Sequence, residues 1–450
     1  MTDRLRLALA QMQPGPDPAA NAAELRALHG RARDMGADVL LAPRGALTGW
    51  PCLDLPRRAD HRAACAAALA DLAPLTAEGP ALVLGAPWHD GDKLHDALVV
   101  LEAGKVTTRR ARHAIRPGEP FDPGPAPGPV ALRGARLGLM CGEDGEDPGI
   151  AETLAETGAE VLVTLHADPF AAGWAARRMQ QAVARVVETG LGFVLVNAVG
   201  GLDEEVVDGG SFALNPDRSL AVQLPRFEPG LVVTDWTRGE AGFACTSVPP
   251  APDCGAEEEI WRALVLFLRG MAGAVAPPRL LVAPGGGLRA ALAALLAVDA
   301  LGSGGVRAVV FDGDPAAEAL ARAFGIGCEV VAAPAAATPL LAARLRAAVQ
   351  EAMAAEGRMI PVAAGDVPAA GIAPLRHVGA ELAHALARWR NAHRPAGLLG
   401  PAEAPIPPAL IAAPMPAPAA PAHRLPPGCR IARAPAPRYP LRSPPMDPDA

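Results

Sequence analysis

A thiol at the end of a buried strand, followed by carboxylates, is a setting in which sulfur chemistry can occur. The segment Leu137-Gly138-Leu139-Met140-Cys141-Gly142-Glu143-Asp144 has that form. Acyl transfer through sulfur needs a thiolate, a base to take its proton and a cation or N–H groups for the oxyanion. Cys141 therefore has two readings. It is a small hydrophobe completing an apolar strand, or a nucleophile whose base lies elsewhere. His166, closing VLVTLH, is a strand-end residue or a base. A second chemistry is suggested by Gly285-Gly286-Gly287 ahead of the apolar run LRAALAALLAVDAL. Three glycines before a helix form either a turn or a nest of N–H groups that can cradle phosphates. The remaining cysteines, Cys52, Cys65, Cys245, Cys254, Cys328 and Cys429, fall into no CxxC or HxxxH spacing. No metal site is expected, and reduced thiols are the default.

The elements that must hold these residues come in two patterns. Up to about residue 240 strands and helices mix with hairpins. Strands are expected at RLRLALAQ, ADVLLAP, ALVLGAPW, EVLVTLHA and GFVLVNAVGG, and helices at Pro18–Asp34, 61–75, 150–157 and 170–189. HDALVVLEAGKVTTRRARH is a hairpin turning at Ala103-Gly104, VALRGARLGLMC is a second, and SFALNPDRSLAVQL is a third turning at Asn215-Pro216. After a linker at 249–253, β and α segments alternate strictly. A helix over 257–271 leads into strands RLLVAP, VRAVVF, CEVVAAP and MIPVAAG, separated by helices over 289–300, 315–324 and 338–355, with another at 378–391. Such alternation predicts a parallel sheet with right-handed crossovers. Beyond Pro395 the last 55 residues hold 16 prolines and few apolar anchors, the composition of a disordered or loosely draped tail.

With 450 residues, half of them hydrophobic, the chain can bury two cores. A net charge of −7 offers no basic footprint for nucleic acid or an anionic membrane. The N-terminus lacks the apolar core of a signal peptide, and the most apolar segment, 289–301, is too short to span a bilayer. A cytoplasmic protein is expected. Lys93 and Lys105 are the only lysines, and Ala, Gly, Pro and Arg are inflated.

Two stretches carry a family resemblance. ETLAETGAEVLV with ARVVETGLGFVLVNAVGGLDEEVVDGGSFALN resembles the core of a nitrilase-type glutaminase domain. ALARWRNAHRPAGLLG is similar to a motif of the synthetase domain of glutamine-dependent NAD synthetases, and GGGLRAALAALLAVDALG stands where that family has its phosphate loop. The resemblance covers nearly the whole chain, with a shortening between about 311 and 361. It implies a nitrilase-like α-β-β-α sandwich over 1–248, a shortened Rossmann-like parallel α/β domain over 256–395 and a Pro-rich tail over 396–450. The family hydrolyses glutamine through a Glu-Lys-Cys set. It passes the ammonia to a second centre, where ATP and Mg²⁺ activate deamido-NAD.

By the same resemblance the glutaminase positions fall on Arg44 for the base, Arg112 for the lysine and Gly142 for the nucleophile. Cys141 sits one residue early, and a one-residue slip on a strand turns a side chain to the other face. A guanidinium accepts no proton, and its planar fork does not replace an ammonium. Phe121-Asp122-Pro123 lacks the family's supporting Glu. Glu143 and Asp144 match the motif and are expected to cap the next helix. Ala198, Leu202, His166 and Asp168 replace small or amide residues of the glutamine pocket. In the second centre the phosphate loop becomes Gly285, Gly286, Gly287, Leu288, Arg289. Its hydroxyls and carboxylate are gone, and Arg289 repels a metal while remaining able to pair with a phosphate. A further motif becomes Asp366-Val367-Pro368-Ala369. Only Arg388, Trp389, Arg390 and Asn391 stand intact, with Trp389 expected in packing.

The expectation is a catalytically inactive NAD synthetase-like protein with no bound cofactor, forming a homo-oligomer or a hetero-oligomer with an active paralogue. The alternatives are residual NAD synthase or carbon–nitrogen hydrolase activity from a rearranged site, or a regulatory subunit of an active paralogue.

Overall fold

The computed structural model describes residues 3–415 except 53, 117–118, 203–204, 240–241, 334, 337 and 365–370. Its contacts divide the chain into two units, Met1–Leu202 with Val207–Asp253, and Asp203–Val206 with Cys254–Ala450.

The first unit is built on two sheets. One has seven strands in the order Gly242–Cys245, Gly230–Gly239, Arg4–Gln11, Val39–Leu41, Ala81–Asp90, Lys93–Glu102 and Lys105–Ala111. The other has six, in the order Leu220–Gln223, Phe212–Leu214, Gly192–Asn197, Val161–His166, Ala135–Cys141 and Val130–Leu132. Alternate residues of both sheets, among them Leu5, Leu7, Leu9, Leu137, Leu139, Cys141, Val161 and Val163, form one buried cluster between them. The intervening residues Ala8, Ala10 and Leu40 pack under Pro18–Asp34 and Ala59–Leu72. On the second sheet Met140, Leu162 and Phe193 pack under Pro148–Glu156 and Trp174–Thr189. Strands covered on both faces are apolar at successive positions, which is why ADVLLAP and EVLVTLHA read as runs. The result is an α-β-β-α sandwich.

Local chemistry sets the boundaries. Asp17 accepts the Ala19 N–H and Pro18 occupies the first turn, so the first helix starts there. The helix expected from 170 starts at Trp174, because Gly173 takes φ +80. The helix expected to reach 75 ends at Leu72 and tightens into a 3₁₀ turn, Ala73–Thr76. Ala103 and Gly104, at φ +50 and +78, make the tight turn expected of them.

In the second unit four parallel strands run in the order Gly327–Val331, Val306–Phe311, Leu280–Val282, Ile360–Val362. Helices Ala256–Ala272, Leu288–Leu301 and Ala380–Ala392 contribute its buried apolar side chains, with Leu288–Leu301 buried nearly throughout. The start of the Pro-rich segment is pinned rather than free. Ile406 is buried and exchanges hydrogen bonds in both directions with the Asn391 side chain, and Leu399 N–H donates to the Asp299 carbonyl. Residues 416–450 lie outside the described part.

Candidate functional site

Arg44 follows the parallel strand Val39–Leu41, Arg112 follows Lys105–Ala111, and Gly142 follows Ala135–Cys141. Three strand ends in two sheets thus bring the three positions together. A Cβ added at Gly142 would stand 2.7 Å from Arg44 Nη1 and 3.2 Å from its Cδ. Gly142 has φ +54, a left-handed conformation that suits glycine. Cys141 is fully buried in the apolar cluster between the sheets, where its thiol accepts the Asp144 N–H and lies within reach of the charges of Asp96, Arg44 and Arg112. Burial, with Asp96 nearby, pushes its thiol well above the usual range. Attack by sulfur needs the thiolate, which these surroundings disfavour.

Two buried arginines occupy the centre. Arg44 Nε donates to Asp96 Oδ2 at 2.6 Å and Nη1 to Glu143 Oε2 at 2.9 Å, while the guanidinium lies 3.5 Å over the Trp50 ring. Arg112 pairs with Glu119 and Glu143, and its Nε is 3.1 Å from Asp96 Oδ2. Arg116 Nη2 reaches Glu143 Oε1 at 3.0 Å. Three cations face three carboxylates. Burial alone would lower the Arg44 pKa, but Asp96 and Glu143 outweigh it and raise it. Burial alone would raise the pKa of Glu143, but Arg44, Arg112 and Arg116 hold its carboxyl down at about 2. Charges taken out of water must be paired to be tolerated, and here they pair with one another.

Glu143 is therefore the hub of this cluster and not a helix cap, as the sequence suggested. The cap of Pro148–Glu156 is Asp147. Asp144 is buried and accepts N–H groups from Ala114 at 2.7 Å and His113 at 2.9 Å, fixing the chain after Arg112. Sequence reasoning missed Asp96 and Glu119. A lone Asp in the apolar run HDALVV was the available signal for Asp96. The cavities beside the cluster, one against Trp50, Cys52 and Asp96 and one against Glu146, His166 and Gln181, are about 10 Å³ each. That is room for about one water molecule.

His166 is a buried strand-end residue whose pKa is lowered by burial. Asp168 belongs to a second buried network. Arg178 donates to Asp168 at 3.2 Å and to Asp208 at 2.8 Å, Arg226 Nε donates to Asp208 at 2.9 Å, and the Asn197 side chain accepts the Asp168 N–H. Ala198 and Leu202 border another cavity of about 10 Å³, with Gln13 and Trp50.

In the second unit the glycine loop links Leu280–Val282 to the helix Leu288–Leu301. Gly286 and Gly287 have φ +96 and +109, and no atom within 4 Å would meet a Cβ at either. Both angles lie in a region that favours glycine. The side chains do not fit MgATP. Arg289 donates to the carbonyls of Leu375 at 2.9 Å and Val378 at 2.6 Å, so its guanidinium holds a turn and is not offered to a phosphate, contrary to the expectation from its type. The Asp314 carboxylate lies where a Cβ at Gly285 would go, placing negative charge beside the loop. Arg390 grips Asp299 at 2.7 and 2.9 Å, Trp261 Nε1 joins the same carboxylate at 2.8 Å, and Trp389 packs on Trp261 and His393. These contacts give the intact RWRN motif a structural task. Asp366-Val367-Pro368-Ala369 lies outside the described residues. No helix among them is long and apolar enough to cross a membrane.

The carbon–nitrogen hydrolase family profile matches residues 6–244. The glutamine-dependent NAD(+) synthetase of Rhodobacter capsulatus is 38% identical over 317 residues, covering 69% of this chain and 57% of that protein. The protein of the same name from Xanthomonas campestris is 30% identical over 326 residues, covering 68% and 58%. The chain thus spans less than two thirds of the length of these relatives. The fold matches that of the glutamine-dependent NAD+ synthetase from Acinetobacter baumannii, solved with ADP. The TM-score is 0.81 at 22% identity, covering 92% of this chain and 86% of that one.

Proposed function

Since the chain belongs to the carbon–nitrogen hydrolase family and is related within it to glutamine-dependent NAD(+) synthetases, we propose that it is an NAD synthetase-like protein that catalyses neither half of that reaction. The observation that carries this is the closed ion cluster of Arg44 and Arg112 with Asp96, Glu119 and Glu143. Glutamine hydrolysis needs a proton acceptor, a thiolate and open volume at that point. The cluster supplies instead paired cations, a glycine and space for about one water. The degenerate phosphate loop Gly285, Gly286, Gly287 supports the same conclusion for the second centre. With no hydroxyl or metal-binding carboxylate in the loop and Arg289 tied to carbonyls, ATP, Mg²⁺ and deamido-NAD are not expected to be held.

Residual activity through Cys141 is opposed by its complete burial in an apolar cluster. The role proposed is that of a cytoplasmic, non-catalytic subunit, assembling with its own copies or with an active paralogue. NAD formation from deamido-NAD and MgATP, supplied with glutamine or with ammonia, tests the catalytic half of the proposal. No product with either nitrogen donor is expected, beside a catalysing homologue as control. Product with ammonia alone would restore the synthetase centre, and product with glutamine would restore both.

A further inference from the structure

A cavity in the second unit lies away from the glycine loop. It measures about 480 Å³ and opens at the N-terminal ends of the parallel strands, the edge opposite to the glycine loop. Helix Pro339–Glu356 borders it. Gln350 on that helix donates to the carbonyls of Leu281 and Val362, which ties the helix to Leu280–Val282 and Ile360–Val362. The strand Gly327–Val331 is left exposed along most of its length. Small-molecule sites span roughly 300–1,000 Å³, and the other cavities described are about 10 Å³.

The lining has a definite chemistry. Arg279 and Arg307 supply positive charge, Glu329 and Glu356 negative charge, and Leu281, Met353 and Met359 an apolar wall. Among the described residues no hydrogen bond or ion pair joins these four charged side chains to one another, so cations and anions border one cavity without neutralising each other. Gly327 makes room for this, since a Cβ there would collide with the Arg307 guanidinium. The helix ends at Glu356 with Gly357 as its C-cap, so its partially negative carbonyl end adds to the glutamates on that side.

We propose that this cleft binds a small zwitterion of the amino-acid class. Its carboxylate pairs with Arg279 and Arg307, its ammonium with Glu329 and Glu356, and its apolar side chain lies on Met353 and Met359. Arginine matches a carboxylate through two parallel N–H donors, and a lining with charges of both signs favours a zwitterion over a simple anion or a simple cation.

The test is calorimetric titration of the full chain with L-leucine, N-acetyl-L-leucine and L-leucinamide. Saturable binding of leucine is expected, weakened at least about tenfold when either end is blocked. Arg307→Ala should weaken leucine but not leucinamide further, and Glu329→Gln should weaken leucine but not the N-acetyl form. Both side chains are exposed, so folding is not at risk. Cys328 lines the cleft and is exposed, so leucine should also slow its alkylation by iodoacetamide. No saturable heat with leucine up to about 10 mM, where binding would be weaker than about 3 kcal/mol, overturns the proposal. So does binding that ignores the blocked ends, or that survives both substitutions unchanged.

Discussion

Arg44 and Asp96 meet across 52 positions of sequence, Nε to Oδ2 at 2.6 Å, with both side chains closed off from water. Each makes the burial of the other tolerable. Removing one partner of a buried pair costs about 3–5 kcal/mol, because the other charge is left unpaired. Arg44→Met should therefore lower the stability of the full chain by about that amount. The transition to follow in urea is that of the first unit. Arg44→Met with Asp96→Asn should recover part of the loss. A drop below about 1 kcal/mol, typical of an exposed pair, would mean that water reaches the cluster.

Glu143 predicts a pH dependence. Its carboxyl is held at about 2 in the folded chain against an ordinary 4.5. A depressed carboxyl contributes stability that is present above about 4.5 and is lost as pH falls toward 2. The contribution is on the order of 3 kcal/mol at neutral pH. Glu143→Gln should be the less stable protein at pH 7, and the gap should close between about pH 5 and pH 2. The raised carboxyl of Asp144 acts in the opposite sense in both proteins and drops out of the difference, whereas Glu143 is one of the charges that raise Glu146, so Glu143→Gln also relieves part of that opposing contribution. A gap that stays constant over this range would show that Glu143 titrates normally.

Glutamine should release ammonia in the presence of this protein no faster than in buffer. Cys141→Ala should leave that background unchanged, since Cys141 packs with Leu137, Leu139 and Val163 between the sheets. Turnover abolished by Cys141→Ala would refute the inactive reading of the first centre.

MgATP should give no saturable heat in calorimetry at concentrations up to about 1 mM, the range of an affinity near 4 kcal/mol. The missing hydroxyls and the engaged Arg289 both act in this direction. Tight binding would show that the glycine loop holds the phosphates without those side chains.

Much of the fold was legible from local patterns. Pro18–Asp34 and Val306–Phe311 were bounded correctly, the first by a capping Asp-Pro pair and the second by a β-branched run between turn residues. The strand Gly230–Gly239 was missed. Its residues alternate only weakly between buried and half-buried, so no period-two signal marks it. The positions Arg44, Arg112 and Gly142 came from family resemblance, and only the folded chain shows them to be neighbours. The task of Glu143 was hidden for a different reason. Its partner Arg44 is 99 residues away, and no local rule reports an ion pair at that separation. Arg289 was misjudged because residue type gives its charge but not the carbonyls that already hold it.

The crowding between Gly142 and Arg44 makes the two positions interdependent. A thiol placed at position 142 would drive its Cβ into a guanidinium pinned by Asp96 and Glu143. Removing Arg44 first would strand those two carboxylates. Position 142 is therefore open to a larger residue only in a chain that has given up Arg44, and giving up Arg44 costs two carboxylates of the cluster a partner.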